Sequence, residues 1–172
     1  MVEVTVARLG IDGATNSYVV ILREKDGPRM LPIWIGKPEA EAIVMQMNQV
    51  KRERPLTHDL CKALIVALGG VLRRVTISRV HKSTYFAEMH IEHDGAMVQL
   101  DARPSDTIAI ALRLGAPILV ESSLLNTVDS DGDAANGPDE FFMTPPNEEM
   151  TTDQLKAYLA TLRPEDFGKF SP

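Results

Sequence analysis

Two alternating runs meet across a two-residue turn in "TYFAEMHIEHDGAMVQLDAR", residues 84–103. A period of two sends successive side chains to opposite faces of a strand, and Asp94-Gly95 supplies the positive φ angles that a tight hairpin needs. This stretch cannot be satisfied by a helix, so it commits the chain to antiparallel pairing. The N-terminal runs "VEVTVARLGI" and "NSYVVILRE" flank the turn cluster "DGATN" and predict a second hairpin. "DGPRMLPIWIG" adds a third strand ending at Gly36, "VLRRVTISRV" one more before the Asp94 hairpin, and "APILVES" a last one. Within this set Trp34 sits in an apolar run and is expected in the core.

Three helical segments are interleaved. "KPEAEAIVMQMNQV" opens with Pro38 near the first helical position and Glu39 and Glu41 in the first turn, where the helix dipole favours acids. Ala42, Ile43, Met45 and Met47 supply much of its apolar content, and the two methionines suit a core or a subunit contact. The second helix starts after Pro55 and runs to Gly69-Gly70, with Leu60, Ala63, Leu64, Ala67 and Leu68 on one face. The third covers roughly 104–114 and ends at Gly115. Hairpins outnumber parallel crossovers, so the expected class is α+β, a mixed and largely antiparallel sheet with three helices. "RPLTHDLCKALIVALGG" and "RPSDTIAIALRLG" echo one another, which suggests a duplicated strand–helix unit.

This core domain would occupy residues 1–125. Residues 126–151 turn to Asp, Gly, Asn and Pro and read as an acidic linker. Residues 152–172 contain "TTDQLKAYLATLRPEDF", an amphipathic helix with Leu155, Tyr158, Leu159 and Leu162 at helical spacing; it is too short to be stable without docking. Within the linker, "DSDGDAANGPDE" places acids like a calcium loop, but Ala134 stands where the turn glycine is required.

The single cysteine, Cys61, excludes a disulfide framework and a thiolate metal centre within one chain; a small buried hydrophobe is its simplest role. The N-terminus alternates and carries Glu3, unlike a signal peptide, and no apolar run approaches the ~18 residues of a membrane span, so a cytoplasmic location is expected. The net charge of −6 conceals a division. Residues 51–82 hold eight Lys and Arg against two acids, whereas residues 121–153 hold nine acids and no Lys or Arg. The first segment could meet phosphates.

Chemistry concentrates at two helix mouths. Pro104 suits a first turn, Ser105 or Thr57 can cap, and Asp106 and Asp59 sit where the dipole stabilises a carboxylate. Those roles need no function. They leave Asp101 and Arg103 at a strand end, and Arg54 and His58 before the other helix. Carboxylates grouped with a histidine can act as acid and base or hold a hard divalent cation, and arginines can hold a phosphodiester. His58, Asp59, Asp101, Arg103 and Asp106 are therefore the candidate catalytic residues, with Asp101, Asp106 and His58 expected at one cleft that a second subunit could complete. Arg54, Arg73, Arg74 and Arg79 are the candidate substrate contacts. On residues 84–93, Glu88, His90 and Glu92 share a face that is expected to be solvated.

The segments "LPIWIGKPEAEAI", "RPLTHDL", "DARPSDTIAIALR" and "API", in this order, resemble the bifunctional nuclease domain family over residues 3–125. "LKAYLATLRPEDF" resembles a C-terminal helix of many members. The resemblance implies DNase and RNase activity of weak sequence preference and a homodimer. Its motif positions fall on Glu39, Arg54, Thr57, His58, Asp59, Asp101, Arg103, Ser105 and Asp106, with no departures. A helical repeat that some members share with excision-repair proteins has no counterpart here. The expectation is thus a nuclease acting on DNA and RNA, assisted by Mg²⁺ or Mn²⁺ at Glu39, Asp101 and Asp106. The alternative is a non-catalytic homodimeric interaction or regulatory module, with the Arg-Pro-Asp mouths locking helices to strands.

Overall fold

The computed structural model describes residues 1–13 and 15–127. The acidic linker after Thr127, its calcium-like stretch and the C-terminal amphipathic segment lie outside the described residues. The order of elements is β1 (Val2–Asp12), β2 (Ser17–Glu24), β3 (Met30–Ile35), α1 (Lys37–Met47), α2 (Thr57–Ala67), β4 (Val71–His81), β5 (Thr84–His93), β6 (Ala96–Ala102), α3 (Pro104–Leu114) and β7 (Ile118–Val120). A 3₁₀ turn at Ser122–Leu124 follows.

Among the described residues the strands form one sheet in the order β3-β2-β1-β7-β4-β5-β6. β7 runs parallel to β4, and every other pairing is antiparallel. The fold is α+β. The sheet order is symmetric about β7: a three-stranded meander followed by a helix occurs twice, as β1-β2-β3-α1 and β4-β5-β6-α3. The duplication therefore relates α1 to α3. The echoing motif of α2 belongs to an insertion between the two units.

The Asp94-Gly95 turn has both residues at positive φ, +50° and +76°, as the two-residue hairpin demands. Lys82 and Ser83 adopt the same conformation, at +47° and +62°, without a glycine. Bulges in β4 after Leu72 and Ile77 add the twist that this turn must match.

The core fills one side of the sheet. Val20, Leu22, Leu31, Ile33, Val75, Ile77, Ile118 and Val120 meet Ile43 of α1 and Ile108, Ala109 and Ala111 of α3. Eight of the eleven residues of α3 are buried, because α1 and α2 flank it while β4 and β5 lie beneath it. It closes at Gly115 with φ +66°, a left-handed cap open to glycine at no steric cost.

Three expectations need correction. Trp34 is 53% exposed: it pairs with Val19 on the helix-free face, while its neighbours Ile33 and Ile35 turn inward. Its indole N–H donates to Asp12 Oδ2 at 2.9 Å. His90, expected on a solvated face, is buried on that same side, 3.1 Å from the Thr76 hydroxyl. The leucine face of α2 points outward: Cys61 and Ile65 pack inward and are half-buried, whereas Leu60, Leu64 and Leu68 are exposed.

Candidate active site

Each helix carries an acid at its third residue: Glu39 in α1, Asp59 in α2 and Asp106 in α3. There a carboxylate meets the unpaired N–H groups and the positive end of the dipole. Thr57 and Ser105 do not cap; each is already inside its helix, and Leu56 and Arg103 hold the N-cap positions in extended conformation. Asp59 instead reaches back to accept the Leu56 N–H at 2.9 Å. Glu39 folds back over Gly36, so a β-carbon at residue 36 would collide with its carboxylate.

Two arginines bind these acids. Arg113, its side chain only 3% exposed, donates from Nε to Asp59 Oδ1 at 2.7 Å and from Nη1 to the carbonyls of Ala42 and Ala109. It locks all three helices together. The sequence reading missed it; the one signal was a lone cation in the apolar run of α3. Arg103, 67% exposed, donates from Nε to Asp106 Oδ2 at 2.8 Å, from Nη2 to Asp106 Oδ1 at 3.2 Å and from Nη1 to Glu39 Oε1 at 2.8 Å.

The second oxygen of this system faces a histidine. His58 Nε2 lies 3.0 Å from Asp106 Oδ1, linking the mouth of α2 to that of α3. A carboxylate only accepts, so Nε2 carries the hydrogen; in the neutral imidazole the lone pair then sits on Nδ1. Burial pushes the Asp106 carboxyl up, but the hydrogen bonds from Arg103 and His58 outweigh it and hold the group below the ordinary carboxylate range. Asp59 shows the same balance: burial raises it, and the Leu56 N–H and Arg113 bring it below normal.

Glu39, His58, Arg103 and Asp106 therefore form one chain of contacts, with Asp59 anchored beside it through Arg113. Asp101 takes no part in these contacts. Its register partner is Glu88, on the helix-free side, because the preceding Leu100 pairs with the core-packed Met89. Arg103 bridges Asp106 to Glu39 instead of to Asp101, since the chain turns off the strand at Ala102 and carries Arg103 to the helix side. Of the other cations, Arg54 is exposed on the loop before α2. Arg73 pairs with Glu92 at 2.7 Å, Arg74 approaches His90 at 3.5 Å, and Arg79 lies over the Phe86 ring at 4.2 Å. The register places Arg74 and Arg79 on the helix-free side.

Among the described residues no three His, Cys, Asp or Glu side chains group as metal ligands. Arg103 fills the position between Glu39 and Asp106, so this donor set, as arranged, does not fit a divalent cation. No helix among the described residues is long and apolar enough to cross a membrane.

The family model of the bifunctional nuclease domain matches residues 20–132. An uncharacterized protein of Mycobacterium tuberculosis (strain H37Rv) is 39% identical over 177 residues, spanning 97% of this chain and 98% of its own. "Bifunctional nuclease 2" of Arabidopsis thaliana is 32% identical over 64% of this chain, and "Bifunctional nuclease 1" of Oryza sativa subsp. japonica 24% over 90%. This chain spans only 35% and 45% of those two plant proteins. The family match runs across β2 to β7 and takes in all three helix mouths, and on that ground the chain belongs to the bifunctional nuclease domain family.

Proposed function

We propose that this chain is a nuclease of low sequence specificity that hydrolyses phosphodiester bonds in DNA and RNA, working as a cytoplasmic homodimer. The observation that carries the reading is the His58–Asp106–Arg103 arrangement at 3.0 and 2.8 Å, set among three helix N-termini in a family with plant relatives named bifunctional nucleases. In this reading Asp106 holds the His58 tautomer, and Nδ1 accepts a proton from water as the water oxygen attacks phosphorus; the leaving oxygen keeps the electron pair of the broken P–O bond and takes a proton from solvent. Arg103, the most exposed member, turns from the carboxylates to the phosphate, and Arg54 meets the flanking backbone. Asp59 positions α2 and does not touch substrate. The exposed leucines of α2 support the homodimer.

Mg²⁺ or Mn²⁺ assistance would require Arg103 to leave Glu39 and Asp106, and Asp101 stands on the helix-free side of the sheet; no step is routed through an ion. The alternative, a non-catalytic interaction module, draws on the same Arg–Asp pairs, which are also good helix locks. One experiment separates them: cleavage of single-stranded DNA and RNA by wild type, Asp106→Asn and His58→Asn, each with and without chelator. The nuclease reading expects a fall of about 10²-fold or more in both variants while the melting temperature stays within a few degrees. Trace activity equal in all three proteins would leave the interaction module. Loss of wild-type activity in chelator would restore the ion.

A further inference from the structure

We infer that the leucine face of α2 and the edge strand β6 form the surface on which a second copy of this chain docks, and that docking fixes the helix that carries His58. The second half of this inference rests on the nuclease reading; the first does not.

α2 is an unusual carrier for a working residue. None of its residues is buried. It is tied down by the Asp59–Arg113 pair, the His58–Asp106 bond and the inward packing of Cys61 and Ile65. Leu56, Leu60, Leu64 and Leu68 recur every fourth residue and are between 40% and 70% exposed, so they form one stripe away from the protein. Elements with so little buried surface open most readily.

The stripe does not stand alone. In β6, Val98 and Leu100 pair with Ile91 and Met89, so they look to the same helix-bearing side of the sheet, and both are more than two-fifths exposed. β6 is also the last strand of the sheet order, with no neighbour on its outer side among the described residues. A long apolar edge strand invites pairing, and two β6 edges brought together antiparallel about a two-fold axis complement themselves. From their fractional exposures of 40–70%, the six side chains present on the order of 500 Å² of apolar surface. With the strand edge and a rim that approaches the ~800 Å² per partner of a standard interface.

The chain's own C-terminal segment is the other amphipathic candidate. The described chain leaves the domain at the opposite border, where Asn126 bridges Met30 at the start of β3. It departs six strands away from β6, and a second copy needs no such detour.

The test uses the full chain. Sedimentation velocity should show a dimer for wild type, and Leu60→Glu/Leu64→Glu should weaken it about 100-fold. Leu100→Lys should do the same from the strand side. Because these positions are exposed in the monomer, the variants should keep their circular dichroism. Amides of residues 61–67 should exchange about tenfold faster or more in the monomeric variants, with β1 and β2 unchanged. Cleavage, where present, should track dimer concentration. A dimer indifferent to both substitutions would overturn the proposal. So would a monomeric wild type whose α2 amides lose protection on Leu155→Glu/Leu159→Glu, since the C-terminal segment would then be the occupant. A dimer lost in these variants without any nuclease activity in wild type would uphold the surface and reject only the nuclease reading.

Discussion

Arg103 has two-thirds of its side chain in solvent, yet its guanidinium is committed to three carboxylate oxygens. Exposure limits its contribution to stability: Arg103→Ala should cost about 1 kcal/mol or less. Its larger effect is on Asp106, whose carboxyl it helps hold below the ordinary value of 3.8. A depressed acid stabilises the fold at pH above the unfolded value and loses that contribution as pH falls through the folded one. Thermal melts of wild type should therefore hold on acidification until about pH 4 and then lose the Asp106 contribution, whereas Arg103→Ala, which lacks part of that contribution already at neutral pH, should decline less steeply below pH 4. Coincident acid profiles would show that Asp106 does not depend on this arginine. His90 works in the window above. Burial, and then Arg74, lower it from 6.5 against the opposing pull of Glu88. The neutral form is favoured in the fold, so its contribution is complete above pH 6.5 and declines as pH drops below it. His90→Gln should remove the slope between pH 6.5 and 5, and a variant that keeps it would place the titration elsewhere.

Among the helices, α3 and α2 are opposites that similar letters conceal. Ile108 is fully buried, so Ile108→Ala should cost about 3–4 kcal/mol in denaturant unfolding. Asp59→Asn should cost about 2 kcal/mol by a different route, because it leaves the buried Arg113 with two carbonyls and no counter-charge. If Asp59→Asn were neutral, the lock between the helices would not hold α2. The contrast explains what the sequence could disclose. Period and punctuation set where the elements begin and end: Pro104, Gly115 and Asp94-Gly95 act through their own backbone preferences, and the structure follows them. Orientation is a tertiary outcome. The four-residue spacing in α2 makes a stripe visible but not whether it faces the protein, and the apolar run around Trp34 has no alternation from which to read a face. The turn at Lys82-Ser83 carries no glycine because bulged strands impose its conformation. Asp106 and His58 were legible as neighbours of helix mouths. Glu39 as the partner of Arg103, in place of Asp101, depends on how β6 turns into α3, and no local pattern encodes that.

At the scale of the molecule the question is how a chain with a net charge of −6 would hold a polyanion. The answer is a matter of placement. The site lies on the helix side, where Arg103 and Arg54 are exposed, while Arg74 and Arg79 stand on the other side of the sheet and Arg73 is engaged with Glu92. Arg54 is four residues from His58, within ~14 Å even if the chain between them is fully extended. A strand seated at His58 can therefore reach Arg54 but not, over a short footprint, the arginines of β4. Binding of a short single-stranded oligonucleotide should weaken steeply with salt as counterions are released. Arg54→Glu should lower affinity several-fold and reduce the slope of log K against log salt by about one. The triple reversal of Arg73, Arg74 and Arg79 to Glu should leave that slope within error for a short oligonucleotide, and should act only on substrates long enough to pass around the β6 edge. Fluorescence anisotropy over a salt series, with oligonucleotides of two lengths, checks both. If the triple reversal abolished binding of the short oligonucleotide while Arg54→Glu did not, the nucleic acid would lie on the helix-free face, and His58 could not be its catalyst.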